Sequence, residues 1–184
     1  KQITFGWKAF YDCYNLEKVE IPTDIGIVAI NDKCFINNKS LNNFVIPDYL
    51  EIIPQSCFEN CFKLKTIQIN ENSSLHTFGY KAFACSGLTS ITFPSSTVTI
   101  GEKSFEKCSD LVSINFNNNI NLQSIDRKAF YKTAIEFLEL KYHINCGFKC
   151  FSKCQNLKNV IISNDIFLCN EAFKSSGIET LIFN

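Results

Sequence analysis

"IGEKSFEKCSDLVSINF", Ile100 to Phe116, is the stretch whose reading decides the fold. Its central phenylalanine, Phe105, follows an apolar residue by five positions and precedes an L-x-x-I-x-F run by six. The same arrangement returns along the chain, centred on Phe10, Phe35, Phe58, Phe83, Phe105, Phe130, Phe151 and Phe173. The intervals are 25, 23, 25, 22, 25, 21 and 22 residues, a drifting repeat of whole units rather than a helical period. Five residues before each phenylalanine stands Phe5, Ile30, Ile53, Phe78, Ile100, Ile125, Cys146 or Leu168, and in four units Gly follows at once.

After the phenylalanine come "LEKVEI" (16–21), "LKTIQI" (64–69), "LTSITF" (88–93), "LVSINF" (111–116), "IEFLEL" (135–140) and "LKNVII" (157–162). Such runs are short, rich in Ile, Val, Thr and Phe, and end at Pro22, Pro47 and Pro94 or at Asn70, Asn117 and Ser163. They read as one strand per unit closed by a turn. A unit of this size cannot bury its apolar side alone, whereas stacked units can, with parallel strands about 4.8 Å apart. Each buried large side chain contributes roughly 1.5–3 kcal/mol before conformational entropy, so the phenylalanine column is a major stabilising element.

The unit I-G-x-x-A-F-x-x-C-x-x-L-x-x-I-x-I-P resembles the BspA-like leucine-rich repeat, seen in "IGEKSFEKCSDLVSINF" and in "FGYKAFACSGLTSITFP" (78–94), and the match runs from about Phe5 to Phe183. The regular buried Asn that ends the strand motif in ribonuclease-inhibitor-like repeats is missing. The resemblance implies an α/β-type leucine-rich-repeat solenoid of about eight repeats of 21–25 residues. Its parallel sheet would line the concave face, with short helices or turns on the convex side. The chain opens midway through a unit, stops just after a strand without polar capping segments, and contains no Met. The expectation is a single solenoid, 1–184, cut from a longer array.

Composition narrows the function classes. Among 184 residues, 18 basic and 18 acidic side chains cancel, and no window is strongly one-signed, which argues against nucleic acid as a partner. No apolar run reaches the length of a membrane span, and "KQITFGWKAF" lacks a signal-peptide core.

"CGFKCFSKC", Cys146 to Cys154, looks like a row of soft ligands, but the repeat register separates its members. Cys150 shares a slot with Cys34, Cys57, Ala9, Ala82, Ser104, Ala129 and Ala172. Cys154 shares one with Cys13, Cys61, Cys108, Asn38 and Thr133, and Cys146 replaces an Ile. Packing of small, weakly polar side chains explains all three, and a tetrahedral zinc site would want tight Cys pairs or a nearby His. The ten cysteines are expected to be mostly free buried thiols, with a disulfide somewhere among them as the lesser reading. His76 and His143 fall in turns far apart in the repeat, without a Cys or Ser partner. No phosphate loop, paired-carboxylate motif or calcium loop is present, so no enzyme activity, cofactor or metal is expected. Asn38-Lys39-Ser40 and Asn72-Ser73-Ser74 match the glycosylation acceptor, a match that so Asn- and Ser-rich a chain produces by chance.

Within L-x-x-I-x-I the residues flanking the second apolar position face outward. Down the array these pairs are Lys18 and Glu20, Asn43 and Val45, Thr66 and Gln68, Ser90 and Thr92, and Ser113 and Asn115. The last three are Phe137 and Glu139, Asn159 and Ile161, and Thr180 and Ile182. The middle is small and neutral, whereas Phe137, Ile161 and Ile182 put apolar groups on consecutive rungs. A contact site is one explanation, and packing under neighbouring loops is the other. The resemblance implies a surface protein of mucosal bacteria or parasitic protists. Such a protein adheres to a host cell, matrix or same-species surface protein, held by a membrane anchor outside this sequence. Alternatives are an intracellular scaffold, favoured by unpaired cysteines, and a substrate-selecting module of a larger enzyme. Uncapped ends also leave room for a homo-oligomer.

Overall fold

The computed structural model describes residues 2–21, 26–117, 119–163 and 165–184. Every rung but the first carries two short strands, so strands numbered along the chain fall into two alternating series. One follows the L-x-x-I-x-I runs: β3 (Asn43–Val45), β5 (Thr66–Gln68), β7 (Ser90–Thr92), β9 (Ser113–Asn115), β11 (Phe137–Leu140), β13 (Asn159–Ile162) and β15 (Thr180–Phe183). The other carries the apolar residue that precedes each repeat phenylalanine: β1 (Gln2–Phe5), β2 (Gly26–Ile30), β4 (Ile52–Ile53), β6 (Thr77–Phe78), β8 (Thr99–Ile100), β10 (Ser124–Ile125), β12 (Asn145–Cys146) and β14 (Phe167–Leu168).

All pairings are parallel and join equivalent positions of neighbouring repeats, as a solenoid requires. The first series forms three separate ladders, β3-β5, β7-β9 and β11-β13-β15. The second forms an unbroken six-stranded sheet from β4 to β14, with Ile53, Phe78, Ile100, Ile125, Cys146 and Leu168 in one row. The expected one strand per unit is therefore two, and the longer sheet is the unexpected one. "LEKVEI" forms no strand. Gly101 shows how closely the second series stacks: a Cβ there would lie 2.4 Å from the Phe78 carbonyl oxygen.

The alternative left open for the convex side resolves to turns, for no helix occurs among the described residues. Each turn winds around the repeat phenylalanine and bonds to the next rung. The Phe105 N–H donates to the Ala129 carbonyl at 2.8 Å, and the Phe130 N–H to that of Cys150 at 2.8 Å. Two residues before and two after each phenylalanine the backbone is left-handed, with φ between 51° and 63°, and no glycine occupies any of these sites. The twist aims those N–H groups at the following rung as well, as with Lys103 to the Arg127 carbonyl at 3.0 Å and Lys107 to that of Tyr131 at 2.8 Å. These bonds offset a local cost of roughly 1–2 kcal/mol for a non-glycine residue in this region.

The core is a continuous stack of the eight repeat phenylalanines. Successive rings are 5.1–5.5 Å apart and within 10° of parallel. Phe44 and Phe93 meet this column edge-on, at 61° and 89°, while Phe78 lies tilted against Phe105 at 45° and edge-on to Phe93, and such contacts suit the ring quadrupole.

The column three residues after each phenylalanine has a second role beyond size. The thiols of Cys61, Cys108 and Cys154 donate to the carbonyl oxygens of Phe35, Phe83 and Phe130 on the preceding rung, at 3.1, 3.0 and 3.1 Å. The Asn38 amide does the same to Phe10 at 2.7 Å and also reaches Phe35. Thr133 and Ser176 bond the phenylalanine carbonyl of their own rung, at 3.0 and 2.6 Å. A short donor is what this slot selects.

Candidate protein-contact surface

The ladder β11-β13-β15 places the six candidate residues in a grid. Phe137, Asn159 and Thr180 occupy one row, and Glu139, Ile161 and Ile182 the next. Alternation along each strand sends Leu138, Leu140, Val160 and Ile162 into the core and their neighbours outward. Phe137 is 48 % exposed and Ile182 is 44 % exposed, while Ile161 is half-buried between them. Glu139 accepts from the Lys141 ammonium at 3.0 Å, which places a charged pair at the head of the row that continues with Ile161 and Ile182. A notch of about 100 Å³, lined in part by Phe137, Glu139, Asn115 and Tyr142, lies beside it.

On the rungs before it the same face is polar, with Ser90, Thr92, Ser113 and Asn115 exposed. Phe137 is visible in sequence because its register position elsewhere holds Lys, Asn, Thr or Ser. On the last rung Leu181 and Phe183 keep the inward register of Val160 and Ile162, with which they pair.

The remaining candidates are not drawn together. His76 shares its Nδ1 with the Thr77 hydroxyl at 3.0 Å and faces Glu51 at 3.7 Å, whereas His143 faces Asp165 at 3.6 Å in another turn. Among the described residues no group of three or more Cys, His, Asp or Glu is placed to hold a metal ion. The cysteines are free, and seven of them are buried. Burial pushes the thiols of Cys34, Cys61 and Cys108 up to about 12. Cys150 is raised by its hydrogen bond with the Cys146 thiol and then by burial, and Cys154 by burial. Protonated and enclosed, these thiols are poor nucleophiles and poor ligands.

Of the two glycosylation matches, Asn38 is buried with its amide spent on the two carbonyls described above, so the folded chain offers only the exposed Asn72.

A parallel solenoid with a stacked aromatic core and two series of short strands is a leucine-rich-repeat, protein-interaction module. Within that class the chain belongs to the BspA type leucine rich repeat family, whose pattern matches in six copies over residues 3–121 and 76–184. The fold is shared with a leucine-rich repeat protein from Bacteroides ovatus (18 % identity, TM-score 0.57, 99 % of this chain and 64 % of that one). It is shared too with a leucine rich cell surface protein from Faecalibacterium prausnitzii (19 %, 0.60, 100 % and 60 %). The pneumococcal vaccine antigen PcpA is 26 % identical over 67 % of this chain and 31 % of its own, with a TM-score of 0.58. The chain thus spans less than two thirds of these structures. No curated protein matches it closely enough to count as a relative. No helix among the described residues is long and apolar enough to cross a membrane.

Proposed function

We propose that this chain is the contact module of a cell-surface adhesion protein. It binds a protein of the host cell, matrix or neighbouring cell through the β11-β13-β15 face, and does no catalysis. The observation that carries the reading is the apolar group on each of three consecutive rungs, exposed Phe137 in one row and half-buried Ile161 and exposed Ile182 in the next, beside polar Asn159 and Thr180. Contiguous apolar surface of this kind on a soluble fold generally has a partner. The Faecalibacterium protein, described as a cell surface protein, supports the location. The test is a Phe137→Ser and Ile161→Ser double variant, assayed for attachment to intact cells and for self-association by sedimentation. Weakened attachment or dissociation with a retained unfolding midpoint is expected; unchanged behaviour in both assays refutes the assignment.

One observation favours a second reading, an intracellular scaffold using the same face. Ten unpaired thiols suit a reducing compartment. Labelling of intact cells with an impermeant reagent separates the two locations.

A further inference from the structure

The turn edge of the solenoid carries a feature that the strand face does not explain. Two residues after the repeat phenylalanine stand Lys107, Lys132 and Lys153 on three successive rungs, all exposed. Their φ values are 59°, 59° and 62°. Each backbone N–H is tied to the next rung, at 2.8, 3.1 and 2.8 Å, so the row advances one ammonium-bearing residue per rung, about 4.8 Å. The Tyr131 ring gathers the ammonium groups of Lys128, Lys132 and Lys153 at 5.3, 5.7 and 5.8 Å from its centroid.

No carboxylate pairs with Lys107, Lys132 or Lys153 among the described residues, because nearby acids are engaged elsewhere. Asp110 is held by Lys65 at 2.6 Å, and Glu171 by Lys149 and Lys174 at 3.1 and 3.2 Å.

Beside this row lies a cleft of about 410 Å³, within the range that holds a small ligand. It opens where the Thr133-Ala134-Ile135 turn is one residue shorter than Cys108-Ser109-Asp110-Leu111 before it and Cys154-Gln155-Asn156-Leu157 after it. Lys132 and Lys153 line it together with Ser109, Gln155 and Asn156, whose hydroxyl and amide groups suit sugar hydroxyls.

We propose that this edge binds a sulfated polysaccharide, with anionic groups along the lysine row and one sugar unit in the cleft between Lys132 and Lys153. The lysines act as point charges at a one-dimensional spacing comparable to that of sugar units in a linear glycan. A single-stranded nucleic acid would want open aromatic faces for its bases, whereas ammonium groups crowd Tyr131. An acidic peptide would want an unpaired strand edge or an apolar floor, and the cleft has only Ala134. The site lies on a different edge from the apolar grid and stands or falls independently of it.

The probes are a heparin oligosaccharide, its desulfated form, polyglutamate and a single-stranded oligonucleotide, titrated at several salt concentrations. The variant is Lys107→Asn with Lys132→Asn and Lys153→Asn, because Asn37 and Asn60 already occupy this column at φ of 63° and 62°. Its heparin affinity should fall by about tenfold or more, and the slope of log affinity against log salt should shrink by about two to three. The same three positions changed to Arg should bind within about threefold of the parent, since charge at the row is preserved. Gln155→Ala with Asn156→Ala should narrow the preference for the saccharide over polyglutamate without removing salt dependence. Changing Lys18, Lys63 and Lys158 to Asn should leave binding intact. The proposal is overturned if the Asn triple binds like the parent or if the distant triple weakens binding equally. It is also overturned if the parent binds the desulfated sugar, polyglutamate or the oligonucleotide as tightly as heparin.

Discussion

Replacing Cys108 tests whether its column is chosen for hydrogen bonding or only for size. The Cys108 thiol is buried, donates to the Phe83 carbonyl at 3.0 Å and lies 3.3 Å from the Ser86 hydroxyl. In Cys108→Ala the loss of that bond costs about 1 kcal/mol, the middle of the usual range for a hydrogen bond. The Phe83 carbonyl keeps the Ser86 N–H at 2.9 Å, so it is not orphaned. Removing the sulfur costs about a further 0.8 kcal/mol as one methylene-sized group, giving about 2 kcal/mol in all. Cys108→Ser preserves a short donor, and Ser86 and Ser176 stand in equivalent slots, so its cost should stay below about 1 kcal/mol. Urea denaturation of the parent, both variants and the Ser86→Ala combinations measures the ranking and the coupling. The coupling between Ser86 and Cys108 should be about 0.5–1 kcal/mol. If Ser proves more destabilising than Ala, the slot selects size and apolarity, and the donor argument fails.

Three further outcomes follow from the same architecture. Phe105→Ala breaks the aromatic column between rings 5.4 and 5.2 Å away and should cost about 3–5 kcal/mol in urea denaturation, against a much smaller loss for Phe105→Leu. Stability should fall as pH rises from 9 towards 12, because the unfolded thiols lose protons near 9.0 while folded Cys34, Cys61 and Cys108 hold theirs to about 12. Each contributes at most about 1.4 kcal/mol per pH unit in that window and nothing below it. A midpoint unchanged to about pH 11, or one that falls equally in a variant lacking the three thiols, contradicts this. In a glycosylating secretory host, folded protein should carry sugar at Asn72 alone, so Asn72→Gln should abolish the mobility shift; sugar mapped to Asn38 in soluble protein refutes the burial argument.

The eight-rung repeat, the phenylalanine column and the outward grid were all legible in sequence, since each depends on one residue type recurring in one register. The second sheet was not. Its strands are only two residues long from β4 onward, as in Thr99-Ile100, too short to show alternation, and their pairing is with the next repeat rather than along the chain. The left-handed turn positions were hidden because Lys103, Lys107 and Lys128 carry no signature of that backbone, whose usual markers are Gly and Asn. Cys61, Cys108 and Cys154 are buried as their register implies, whereas Cys13 in the same column is exposed, and the donor role of the three emerges only from the carbonyl of the preceding rung within reach of each thiol. The enclosure of Asn38 was hidden for the same reason, because its sequon says nothing of the two carbonyls that take up its amide.

The unbroken second sheet also bears on how such a chain changes over generations. Repeat spacing drifts between 21 and 25 residues, yet the rows through Ile53 and Ile100 stay aligned from β4 to β14. The differences in repeat length therefore fall in the connecting turns, which absorb them without shifting the alignment of one rung on the next. The strand ladders of the other face, already divided into three pieces, are free to diversify rung by rung. Variation among the outward residues is thereby uncoupled from the spine that holds the rungs in line.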